Sequence, residues 1–291
     1  FERLGGVDSF VGRLAPLLAH KASATHLRTE RKEMATALQN LIKETRNDRK
    51  TLTTIFGAGG IGKTTACAIK GSVWIQTEQG EGVLKLQAFD LVKKYEQVGE
   101  YIDALLENDH DYKLLVIDSL DHLEPLMWAH VCQKNKWQHI DETGYGKGYI
   151  AALDEWRKLI GKLNELRDKK DMHVCMIAHA APRKVDQPDG TQFHVMDLKL
   201  HAKSSMFIAE SCDCVFYAQP EIALKTKDKG FGQKTTVGIN TGNRIMHSVG
   251  TPHFVAKNRF GLPEELPLSF TSYLVSMQAA KDKKPQPKKE A

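Results

Sequence analysis

The sequence predicts an α/β fold: a mostly parallel sheet flanked by helices, with antiparallel strands toward the C-terminus. Three observations lead to the parallel core. From Thr51 onward, short apolar runs alternate with amphipathic stretches, the pattern of a parallel sheet covered on both faces. One of those runs leads straight into a glycine-rich turn of the form GxxxxGK[ST], and a helical segment, Ala66 to Lys70, follows. The chain has 291 residues, of which 41% are hydrophobic and 26% charged, ordinary values for a globular protein able to bury a core.

Charge and composition divide the chain further. Residues 1–50 carry a net +4, residues 281–291 a net +3, and the stretch between them −2. The head reads as helix, with Phe10, Leu14, Leu17 and Leu18 on one face and Met34, Leu38, Leu41 and Ile42 on a second. A polar linker, Lys43 to Lys50, follows. The expected domains are thus a helical head over 1–50, an α/β core over 51–275 and a disordered basic tail over 276–291. Basic ends on a near-neutral core suit contact with a polyanion. No apolar run approaches the ~18 to 20 residues that span a bilayer, and no charged-then-apolar leader opens the sequence, so a soluble, cytoplasmic protein without a membrane partner is expected. The five cysteines, Cys67, Cys132, Cys175, Cys212 and Cys214, lie in apolar stretches without metal-site spacing and read as reduced, buried thiols.

The glycine-rich turn is the most specific signal. The strand Leu52 to Phe56 runs into Gly57, Ala58, Gly59, Gly60, Ile61, Gly62, Lys63, Thr64 and Thr65. Glycines in such a turn let backbone N–H groups converge on phosphate, the helix start adds partial positive charge, and the lysine reaches the β/γ oxygens. Thr64 is placed to supply a hydroxyl to Mg²⁺. A second strand, Lys113 to Asp118, ends in an acid, as a strand does when it aims a carboxylate at the shell of that metal. ATP and Mg²⁺ are therefore the expected ligands.

Hydrolysis needs a base to orient water. Asp118 is followed by Ser119, not by a glutamate, so the base is sought at the tip of a neighbouring strand. The run Val73 to Gln76 leads to Thr77 and Glu78, and Glu78 is assigned the role, with Glu81 a competitor just beyond. A further strand, His173 to Ala178, ends in His179, where a γ-phosphate sensor would sit and pull on the following loop. That stretch, Ala180 to Lys203, reads as a mobile basic loop bearing Arg183, Lys184, Lys199 and Lys203 around Phe193, which suits single-stranded nucleic acid. Near the end, Lys257 and Arg259 stand two residues apart. In an extended segment both point the same way, either toward a phosphate held by a neighbouring subunit or into solvent along an edge strand.

In their order and spacing these residues resemble the RecA-like ATPase core. Within it, the chain is similar to phage-encoded ATP-binding proteins of single-strand annealing and recombination, through Asp111 to Asp121, Gly144 to Tyr149 and Ala256 to Pro263. The resemblance spans about residues 51–275. It implies that Lys63 and Thr64 hold phosphate and Mg²⁺, that Glu78 is the base, that Asp118 supports the metal and that His179 is the sensor. It implies further that Lys257 and Arg259 reach across a subunit boundary in a homo-oligomer, ring or filament. The loop after Asp118, with Trp137, Tyr145 and Lys147, and the loop after His179 would face DNA. Single-stranded DNA is then the expected partner, with a single-strand-binding protein as a further one, in the host cytoplasm if the chain is phage-encoded. A RecA-fold helicase or translocase, a P-loop phosphotransferase and a nucleotide-gated accessory protein are the rival readings.

Overall fold

The computed structural model describes residues 48–80, 82, 84–187, 189–228 and 234–282, with backbone alone at 224–228 and 234–237. The readings of the head, of Glu81 and of residues 283–291 lie outside the described residues. Every element below belongs to the unit Asp48–Ala291.

Strands β1 (Leu52–Gly57), β2 (Ser72–Gln76), β3 (Leu114–Asp118), β4 (His173–Asp186) and β6 (Cys214–Asp228) pair in parallel in the order β2-β3-β4-β1-β6. β7 (Lys234–His247) then adds antiparallel to β6, and β9 (Glu265–Pro267) antiparallel to β7. The short β8 (Lys257–Asn258) pairs with the start of β6, and β5 (Gln192–Leu198) folds back on the outer half of β4. The expected parallel sheet with antiparallel C-terminal strands is therefore present.

Alternation along each strand builds the two faces. On one face Phe56, Ile75, Leu115, Ile117, Val174 and Met176 meet helices α2 (Tyr95–Glu107), α3 (Leu120–Asn135), α4 (Lys147–Lys170) and α5 (Ala202–Ser211). On the other, Ile55, Trp74, Val116, Ile177 and Phe216 meet α1 (Lys63–Cys67) and α6 (Phe270–Asp282). Near-continuous apolar strands such as Leu114 to Ile117 follow directly, because both faces are covered. All five cysteines are buried free thiols. No helix among the described residues is long and apolar enough to cross a membrane.

Four expectations need correction. The helix after the glycine turn runs over Lys63–Cys67, not Ala66 to Lys70, and stops at Ala68. The stretch expected as a mobile loop after His179 is a β-hairpin: β4 continues to Asp186 and pairs residue by residue with β5, with Val195 buried. Its polar outer face hid the strand alternation. The chain after Asp118 enters the sixteen-residue α3 at once, so the loop bearing Trp137 and Tyr145 comes only between α3 and α4. Finally, residues 276–282 are not tail. They complete α6, where Phe270, Tyr273 and Met277 follow a helical period and are buried.

Candidate nucleotide site

The chain leaves β1 toward one side of the sheet, to β2, while β4 and β6 flank β1 directly. In parallel sheets the crevice beyond the strand ends, at the point where the order reverses, is where ligands bind. The glycine turn sits at that point. Gly57 ends β1 between His179 of β4 and Ala218 of β6, and a Cβ there would lie 2.5 Å from the Ala218 carbonyl oxygen. Gly62, at φ 99°, takes a left-handed backbone that L side chains rarely adopt, and a Cβ there would run into the Arg244 guanidinium.

Around this turn the structure gathers Lys63, Thr64, Glu78, Asp118 and His179, all expected, on one cavity of about 580 Å³ that Arg244 also lines. The Lys63 ammonium is buried and donates to the carbonyls of Gly57 (3.0 Å) and Ala58 (2.9 Å). Burial lowers its pKa, while Asp118, Asp121 and Glu78 act in the opposite sense. Thr64 Oγ1 donates to Asp118 Oδ2 at 2.9 Å. Burial raises the Asp118 carboxyl above its ordinary value, and Glu78 adds to that, against the Thr64 hydrogen bond and Lys63. A desolvated carboxylate beside a hydroxyl is an oxygen donor set that suits Mg²⁺, and the buried lysine beside a glycine turn suits a phosphate chain. Because α1 has only five residues, Lys63 and the amides of the turn must carry more of the positive field than a helix dipole would.

Glu78 follows β2, whose tip is tied to β3. Thr77 N–H donates to the Asp118 carbonyl, and the Thr77 hydroxyl donates to the Ser119 carbonyl while accepting from Ser119 N–H. These bonds hold Glu78 beside Asp118 at neighbouring strand ends. Glu78 Oε2 lies 3.1 Å from Nδ1 of His122, which stands on the first turn of α3. One residue earlier, Asp121 accepts from both the backbone N–H and Nδ1 of His179. Nε2 of His179 then faces the glycine turn: a Cβ on Gly59 would lie 3.7 Å from it.

A model of the AAA domain family matches residues 49–260, well over half of the chain. The chain belongs to the AAA domain family. A comparison with curated proteins gives no match. This is a P-loop AAA domain.

The other predicted residues of this AAA domain lie elsewhere. Lys257 and Arg259 sit at the opposite end of the strands, where β8 pairs with the first residues of β6. Lys257 Nζ donates to the carbonyls of Ala209 and Glu210 at the end of α5; Arg259 donates to Glu210 O and Asp213. The pair does point one way, as expected of an extended segment, but onto its own chain and out of reach of its own glycine turn. Arg183 bonds to Asp197 across the β4–β5 hairpin, Lys184 lies 3.8 Å from Asp186, and Lys199 lies 3.9 Å from Asp121. Lys147 and Lys203 are exposed at the first turns of α4 and α5. Tyr145 is wholly exposed in a left-handed backbone, whereas Trp137 packs against the small cluster around Val131 and Ala152.

Three site residues escaped the sequence reading. Asp121 and His122 follow Asp118 by three and four residues, a spacing that brings them back to the strand tips once α3 starts at Leu120. Arg244 comes from β7, in a polar run with no local mark.

Proposed function

We propose that this AAA domain is a Mg²⁺-dependent ATPase of the RecA-like kind that acts on single-stranded DNA in recombination or annealing. One observation carries the reading. The strand tip that faces the glycine turn and the basic hairpin are the same element, since β4 passes from His179 directly into Arg183 and Lys184. The return arm closes on the same residue, with Lys199 N–H donating to the His179 carbonyl at 2.9 Å. A triphosphate and a polyanion would thus act on one continuous segment.

In this reading Lys63 and the amides of the turn hold the β/γ oxygens, and Thr64 and Asp118 hold Mg²⁺. When bound, the cation neutralises charge that builds on the transferred phosphoryl group. Glu78 accepts a hydrogen bond from the attacking water and aims it in line with the leaving oxygen. Asp121 fixes the His179 ring through Nδ1 and turns Nε2 toward the terminal phosphate, to which it donates when the ring is an imidazolium. Arg244 supplies a further cation from within the same subunit, and Lys257 and Arg259 act on a neighbouring subunit's nucleotide in a homo-oligomer.

For the DNA side, a second cavity of about 560 Å³ lies between α3 and the hairpin, with Trp128, Arg183, Lys184 and Lys199 on its walls. An aromatic side chain among three cations suits phosphates and unstacked bases, and the exposed Tyr145 ring offers a second stacking surface. The test is the ATPase rate with and without single-stranded DNA. Stimulation that fades with added salt is expected. An unchanged rate, or phosphate transfer to a nucleoside in place of water, would refute the DNA-directed reading.

A further inference from the structure

Beside the Thr64–Asp118 pair, the tips of β2 and β4 and the first turn of α3 bring a second donor set together. Glu78, His122 and His179 each present one ligand atom, and the three atoms lie within 4.8 Å of one another. We infer that these residues form a binding site for a borderline divalent transition cation of the Zn²⁺ class, distinct from the Mg²⁺ position. A cation held there would draw Glu78 away from the water it orients. The regulatory half of this inference rests on Glu78 being the base; the binding half does not.

The donor chemistry selects the ion. Two imidazoles and one carboxylate suit Zn²⁺, Co²⁺ or Ni²⁺, whereas Mg²⁺ prefers oxygen ligands. One edge has the size required: Glu78 Oε2 and His122 Nδ1 are 3.1 Å apart, close to the edge of about 3.3 Å of a tetrahedron with bonds of about 2.0 to 2.1 Å, and the edges to His179, within 4.8 Å, would shorten to that length on binding. Three protein ligands with an open side, as here toward the nucleotide cavity, are the arrangement of zinc sites that keep a water.

The surroundings support the ligands. His179 spends Nδ1 on Asp121, whose side chain is 1% exposed, leaving Nε2 free to ligate in the carboxylate–histidine–metal arrangement. His122 is partly exposed, and its Nδ1 also meets the Ser119 hydroxyl at 2.9 Å, a bond it can exchange for a metal. Asp118, Asp121 and Glu78 supply three carboxylates around the cavity, facing the cations Lys63, Arg244 and, beside Asp121, Lys199.

The test uses the untagged full chain without nucleotide, titrated with Zn²⁺ by calorimetry and with Co²⁺ by visible absorption. One equivalent is expected to bind, with cobalt bands of a nitrogen and oxygen site and no thiolate charge transfer. His122→Ala and Glu78→Gln should each weaken that equivalent by about tenfold or more, while Asp118→Asn should retain it. Unchanged affinity in both His122→Ala and Glu78→Gln would overturn the site. Added Zn²⁺ should also inhibit Mg²⁺-dependent hydrolysis by the wild type at the concentrations at which it binds. Binding that follows the variants while hydrolysis is unaffected would overturn the regulatory half and the role of Glu78 as base, and leave the cation site standing.

Discussion

Asp121 accepts two hydrogen bonds from His179, one from the backbone N–H and one from Nδ1, each 2.9 Å long. Burial alone would raise the Asp121 carboxyl; the bonds from His179 outweigh it and hold the pKa below the ordinary value. The pair couples the start of α3 to the point where β4 leaves the nucleotide cavity for the hairpin. Asp121→Ala frees both the ring and the strand tip. It is expected to lower kcat by about tenfold or more while KM for ATP changes little, because Lys63 and the glycine turn are untouched. Steady-state kinetics check this; a rise in KM at constant kcat would assign Asp121 to ground-state binding.

Arg244 is the cation that closes the cavity above Gly62. A charge-assisted hydrogen bond from it to a phosphate is worth roughly 1.5 to 3 kcal/mol, about ten- to a hundredfold in affinity. Arg244→Ala should weaken ATP binding in that range. The side chain is exposed, so thermal stability should hardly change. Calorimetric titration with a non-hydrolysable ATP analogue reads the affinity, and wild-type affinity in the variant would remove Arg244 from the site.

Lys257 and Arg259 face away from their own glycine turn, so any catalytic role must be exerted on a neighbour. The Arg259 contact with Asp213 is half exposed, and such pairs contribute little to stability. Arg259→Ala is therefore expected to stay folded and to lose hydrolysis even at saturating protein concentration. Mixing it with Lys63→Ala should restore part of the rate, since a mixed interface joins an intact turn to an intact arginine. No loss in the single variant contradicts the role in trans.

His173 supplies a pH-dependent prediction away from the site. Its Nδ1 lies 3.1 Å from Thr51 N–H and accepts from it, and burial, aided by Lys50 and Lys281, lowers the imidazole pKa to about 4. The unfolded chain has the ordinary value near 6.5. The neutral ring's stability is thus fully present above about pH 6.5 and is lost as pH falls from there toward about 4. The span corresponds to at most about 3 kcal/mol. His173→Asn, which keeps an acceptor for Thr51, should flatten this part of the stability profile relative to wild type. Denaturant unfolding between pH 4 and 7 measures it; parallel profiles would contradict the burial argument.

What the sequence made legible was what is written locally. The strand of β1, the glycines and Lys63 form one contiguous signal, and the acid at the end of an apolar run marked Asp118. Glu78 and His179 were found because each ends an apolar strand and parallel strands end together. The β4–β5 hairpin was missed because its outer face is polar and Pro182 interrupts the pattern, so the alternation that ends at the buried Val195 was weak. Arg244 reaches the cavity only through the pairing of β7 with β6, and the direction of Lys257 and Arg259 depends on which end of β6 pairs with β8. Such relationships arise from pairing across distant segments, and no local periodicity encodes them.

The role of Glu78 is tested most directly by the ATP turnover of Glu78→Gln, with nucleotide affinity measured in the same preparation. The glutamine keeps the shape of the side chain but cannot take a proton. The account predicts that ATP still binds with affinity within a few-fold of wild type while turnover falls by about a hundredfold or more. Turnover near the wild-type rate would show that water is oriented elsewhere and would contradict the account.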